Sequence, residues 1–220
     1  SFFLVSENLR QNLIQTSETR LCFLCESIDA NVSNVNNFVR SCQISTKIIN
    51  FAKETEPSGN QTKREAHDFV MENYTANAAL PSQLIRMVIL GKSRPDIVQV
   101  VEPPYSSITV SAEAIRSLPY FELLLKHMEE VEVGILPDAF CTSKEIPMIP
   151  LLHPIEHPYK AEEIGYIFTE MSVSVITAPI QNYLSERDSR FFFYINENAY
   201  QFQNGTLVLN AYQFQNGTLV

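Results

Sequence analysis

Residues 84–101 read LIRMVILGKSRPDIVQVV, two apolar runs on either side of a turn-rich centre. The reading of the first run decides how the rest of the chain is arranged. Pro81 stands near its start and Gly91 at its end, the punctuation of a short helix, so 84–90 is read as one. Its apolar side chains exceed what one small helix buries alone. Leu84, Ile85, Val88 and Ile89 are therefore expected to pack across a subunit boundary in a homo-oligomer. The second run, IVQVV at 97–101, is β-branched and reads as a strand; Pro103-Pro104 break it, and SITV at 107–110 reads as a second short strand.

Upstream, Val35, Phe38, Val39, Cys42 and Ile49 recur at helical spacing, and Leu9, Leu13 and Ile14, then Leu21, Leu24 and Ile28, point to one or two earlier helices with Ser6 and Ser17 as N-caps. A helical region over 1–53 follows, packed as its own small layer. The stretch 54–63, ETEPSGNQTK, has linker composition and marks a boundary. Beyond it, 65–74 reads as a helix with Ala66, Phe69, Val70 and Tyr74 inward.

Composition narrows the function classes. The formal charge is −9 and no basic cluster of the kind that neutralises phosphates occurs, which argues against nucleic acid as a partner. The longest apolar runs fall far short of a bilayer span, so no membrane role is expected. With Ser1 rather than Met in first position, a targeting peptide ahead of it would not be seen. Cys22 and Cys25 have the spacing of half a zinc site, but Cys42 and Cys141 supply no second pair, and plain buried thiols on a helix are expected. Few cysteines fit a reducing compartment, cytoplasmic or nuclear. Five Asn-x-Ser/Thr triplets, at Asn31, Asn60, Asn73, Asn204 and Asn216, keep a secreted glycoprotein as an alternative.

Downstream, Ser111 is placed to cap a helix through Ala112 and Ile115, Pro119 interrupts it, and a new helix starts near Tyr120. Phe121, Leu124, Leu125 and Met128 form its inward stripe, with Glu122, Lys126 and Glu129 outward and Glu130 at the acidic exit. This succession of strand pair, helix, Pro-x-Phe break and second helix resembles the core of the BTB/POZ family over about 81–190. The residues that carry the resemblance are Ser93-Arg94-Pro95-Asp96-Ile97-Val98 at a first strand and Pro119-Tyr120-Phe121 at the break. Ile135-Leu136-Pro137-Asp138 would be a third strand and turn, and 167–183 a closing helix pair. Leu118 stands where the family has Ser before the proline, and 144–158 carries four prolines where the family has a helix and a strand.

The resemblance implies an α/β (α+β) fold, a small mixed sheet flanked by helices spanning 64–190. It also implies a non-enzymatic adaptor that homo-oligomerises and takes protein partners, cullin-3 among them. Tyr120, Phe121, Met128, Glu129 and Glu130 would form the partner site, with Met128 as an apolar knob and Glu130 at the rim. A scaffold that does not bind cullin is the alternative with the same fold.

No catalytic set, cofactor or metal site is expected. The chain has six glycines and no phosphate-binding loop. His153 and His157 are four apart, but Pro154 and Pro158 argue against a helix, so they read as surface histidines; Asp96 and Asp138 read as turn residues and His127 as a helix-end charge. The tail 191–220 is β-prone. It opens with FFFYI, read as a buried strand, and NAYQFQNGTLV at 198–208 recurs unchanged at 210–220, each copy a hairpin signal about Asn-Gly. Identity without drift over eleven residues reads as an artificial duplication rather than a repeat array.

Overall fold

The computed structural model describes residues 2–55, 60–101, 109–140, 146–183, 191–195, 198–203, 206–209, 214–215 and 218–219. The fold is α+β. A helical region, α1 (Phe2–Gln43), α2 (Thr46–Lys53), α3 (Gln61–Ala76) and the single turn α4 (Leu80–Gln83), leads into a four-stranded antiparallel sheet. Its strands are β1 (Leu84–Gly91), β2 (Ile97–Val101), β3 (Met148–Glu156) and β4 (Glu163–Ser172), in the order β2-β1-β4-β3. Helices α5 (Ala112–Arg116) and α6 (Phe121–Lys126) lie between β2 and β3, and α7 (Ser174–Tyr183) follows β4.

The run 84–90 is a central strand and not a helix. All eight residues of β1 are buried, with β2 on one side and β4 on the other. A strand covered on both faces is apolar at nearly every position, here all but Arg86, and over seven residues such a run looks the same as a buried helix. Leu84, Ile85, Val88 and Ile89 therefore spend their surface inside one chain, and the subunit boundary expected there is not where they lie.

The two sheet faces have different covers. Met87, Ile89, Val98, Val100, Ile149, Leu151, Ile167 and Met171 pack with α1, α2, α3 and α7 in one cluster. Val88, Leu90, Ile97, Leu152 and Phe168 pack on the other face with Ile115, Phe121 and Leu124 of α5 and α6. Because Leu24, Val35, Phe38, Val39 and Cys42 of α1 belong to the first cluster, the 1–53 region is one cover of the sheet and not a separate layer. It is also one long helix up to Gln43, without a break at Ser17, and ends just before α2.

Two further elements differ from expectation. The stretch 167–172 finishes β4, so only α7 stands where the resemblance implies a helix pair. Leu136 makes a single bridge with Met148 rather than a strand. Thr109 and Val110 are not in a strand, and 107–108 lie outside the described residues.

Of the prolines of 144–158, Pro150 and Pro154 fall inside β3 and are accommodated because β3 is an edge. Proline lacks the N–H that a ladder needs and is tolerated where that position faces away from the sheet. Met148, Pro150, Leu152 and Pro154 alternate on that outer side. Several of the other groups there are covered, Met148 by Leu136, the Leu152 carbonyl by the Glu129 N–H, and the Pro154 carbonyl by Gln43. An edge covered in this way offers a poor template for another chain's strand.

Arg94 ties the ends of the expected linker together. The guanidinium is 1% exposed, stacks 4.3 Å over the Phe51 ring, donates to the Phe51 carbonyl and pairs with Glu54 and Asp96. Thr62 also donates to Glu54, so α2, the start of α3 and the β1–β2 turn share one buried cation. In the tail, β5 (Phe191–Ile195) pairs with β6 (Asn198–Gln203) and β6 with β7 (Thr206–Leu209), while β8 (Phe214–Gln215) pairs with β9 (Thr218–Leu219). Gln203 faces Thr206 and Gln215 faces Thr218, so identical copies take the same register and the hairpin is locally encoded; the Asn-Gly positions themselves lie outside the described residues.

Candidate functional site

The acidic exit of α6 is built from the cap outward. Ser111 accepts the Ala114 N–H at 3.0 Å and starts α5, the chain breaks at Pro119, and α6 follows from Phe121. Phe121 and Leu124 are buried against the sheet, as the stripe predicts. Tyr120 is half-buried beside the same cluster, and its phenol is pushed up by burial and by nearby Glu170. Met128 is also half-buried, packed on this cluster. Three of the five expected partner residues therefore fasten α6 to the sheet, and the free apolar knob expected of Met128 is a core contact.

Glu129 is held at a corner of the molecule. It has a left-handed backbone, φ 65°, and its N–H donates to the Leu152 carbonyl at 2.9 Å. The carboxylate accepts from Gln43 Nε2 at 2.9 Å, and the same amide donates to the Pro154 carbonyl. His153 Nδ1 lies 3.8 Å from that carboxylate, and Thr169 sits at 3.5 Å from its other nitrogen. His153 is a buried strand residue, which corrects the surface reading; burial pulls its pKa down to about 4 against the opposing charge of Glu129. Outside the corner is a cavity of about 590 Å³ lined by Arg40, Gln43, Ile44, Glu129, Pro154 and His157 among others. Glu130 is exposed and pairs with His127 at 3.0 Å.

The polar centre of the fold was not singled out from sequence. Arg86 on β1 and Glu170 on β4 stand directly opposite, both side chains fully buried, with Arg86 Nε 3.2 Å from Glu170 Oε2. Arg86 also donates to Gln99 at 3.4 Å and to the Phe140 carbonyl at 3.3 Å, while the Phe140 N–H donates to the second Glu170 oxygen. Burial holds the Glu170 carboxyl up at about 7, against the pull of the Phe140 N–H and Arg86. The signal was available: a lone Arg in LIRMVIL and a lone Glu in IFTEM are each misplaced in a buried run unless they meet.

Cys22 and Cys25 are on a helix as expected but exposed, since they lie off the face of α1 that carries buried Leu24; Cys42 is buried and its thiol is pushed up to about 12 by burial. Cys141 lies outside the described residues. Of the glycan triplets, Asn31 donates its amide to the Val175 carbonyl and accepts from Gln83, and Asn73 donates to the Phe69 carbonyl, whereas Asn60 is exposed; Asn204 and Asn216 lie outside the described residues. No helix among the described residues is long and apolar enough to cross a membrane. Comparison with protein-family models and with curated protein sequences finds no match for this chain.

Proposed function

We propose that the chain is a non-enzymatic protein-interaction module that assembles with a second copy of itself through α1. The observation that carries the reading is the heptad stripe Ile14, Leu21, Ile28, Val35, Cys42. Val35 and Cys42 are buried in the core and Ile28 packs against it, yet Ile14 and Leu21 are each 48% exposed. At 1.5 Å per residue the helix is about 63 Å long, more than the sheet can cover. The same apolar register thus continues past its own core. A parallel second α1 would set Ile14 against Ile14 and Leu21 against Leu21, the self-complementary arrangement of a two-fold interface.

The buried ionisable groups support a binding rather than a catalytic role, since Arg86, Glu170, Arg94 and His153 are each engaged within the fold. The cullin-3 adaptor reading draws no support from the acidic exit, where Met128 packs inward and Glu129 is tied to Gln43. Replacing Ile14 and Leu21 together by Glu tests the assembly. The double variant is expected to lose self-association and keep its circular dichroism; unchanged association would remove α1 from the interface.

A further inference from the structure

The turn that closes α6 brings an imidazole and two carboxylates to one point. His127, Glu130 and Glu132 each present a ligand atom, and the three atoms lie within 4.8 Å of one another. We propose that this trio binds a divalent transition-metal cation of the zinc class, with water completing its coordination.

Donor chemistry selects the cation. One imidazole nitrogen with two carboxylate oxygens is a borderline set that suits zinc and its neighbours, whereas magnesium and calcium favour all-oxygen shells. Spacing agrees. Zinc bonds of about 2.0–2.2 Å in a tetrahedral shell put neighbouring ligand atoms roughly 3.4 Å apart. His127 Nδ1 and Glu130 Oε2, at 3.0 Å, already span close to one such edge. The remaining gaps, none wider than 4.8 Å, close by rotation about the side-chain torsions of a glutamate.

The backbone beneath His127 and Glu130 is held before any ion arrives. The His127 N–H donates to the Leu123 carbonyl at 3.1 Å, the Glu130 N–H to the His127 carbonyl at 3.3 Å, and the Glu129 N–H to the Leu152 carbonyl of β3 at 2.9 Å. The competing description is a solvent-exposed His127–Glu130 ion pair three residues apart, of a kind that contributes little and takes no metal.

The test uses the full chain with Cys22, Cys25 and Cys141 changed to Ser, so that buried Cys42 is the one thiol left, stripped with EDTA and titrated with zinc chloride by calorimetry. Magnesium and calcium chloride are parallel arms. One zinc per chain is expected, weakened at least tenfold by His127→Ala and by Glu132→Gln and unchanged by Glu122→Gln, with no heat from the other two ions. Circular dichroism checks that each variant is folded. Absence of zinc binding, binding that survives both His127→Ala and Glu132→Gln, or equal binding of magnesium would overturn the proposal.

Discussion

Arg86 and Glu170 face each other across the β1–β4 ladder with both side chains fully buried, and between them they engage Gln99 and both backbone groups of Phe140. Removing one partner strands the other's polar group. Arg86→Ala is expected to cost about 3–5 kcal/mol in urea unfolding, and the paired change Arg86→Met with Glu170→Leu far less, because an apolar pair needs no desolvation. Equal losses for the single and the double variant would contradict this account of the pair.

Burial of neutral His153 makes stability sensitive to acid. The imidazole titrates at about 4 in the fold and near 6.5 when unfolded. Above pH 6.5 both states are neutral and the term vanishes; as pH falls toward 4 the unfolded state takes up the proton first, and up to about 3 kcal/mol of stability is lost. His153→Gln should flatten that part of the stability–pH curve relative to wild type. A difference curve with no slope between pH 6.5 and 4 would show the imidazole to be solvated.

Phe121 and Met128 share a cluster but not a depth. Phe121 is 5% exposed and its truncation to Ala should cost roughly 3–5 kcal/mol, while Met128→Ala should cost clearly less because that side chain is half-buried. Comparable losses at the two positions, by thermal melts, would mean that the exit of α6 is buried more deeply than described.

Gly165 allows β4 to pass close to β1. A Cβ there would collide with the Leu90 carbonyl, a backbone atom that cannot turn aside. Gly165→Ala is expected to destabilise by about 1–3 kcal/mol and to raise amide exchange at Leu90 and Gly91 first. A neutral substitution would mean that the two strands can part without cost.

Much of the fold was legible where period and punctuation agree. The α3 stripe, the Ser111 cap, the Pro119 break and the β2 run are local signals, and each stands where the residues put it. Leu84–Gly91 was not legible in the same way, because burial on both faces erases the two-residue alternation that distinguishes a half-buried strand. The prolines of β3 read as breakers since nothing local says that their strand is an edge. Arg86 and Glu170 lie 84 residues apart, so the pairing that makes each tolerable belongs to the sheet register and not to either segment. Exposure of Ile14 and Leu21 depends likewise on where the core ends beneath α1.

Self-association through α1 is most directly tested by light scattering on the wild-type chain eluting from a size-exclusion column at tens of micromolar. The 25.0 kDa chain is expected to give twice its own mass, falling to one chain's mass in the Ile14→Glu, Leu21→Glu variant. A wild-type chain that elutes at 25.0 kDa throughout that range would contradict it.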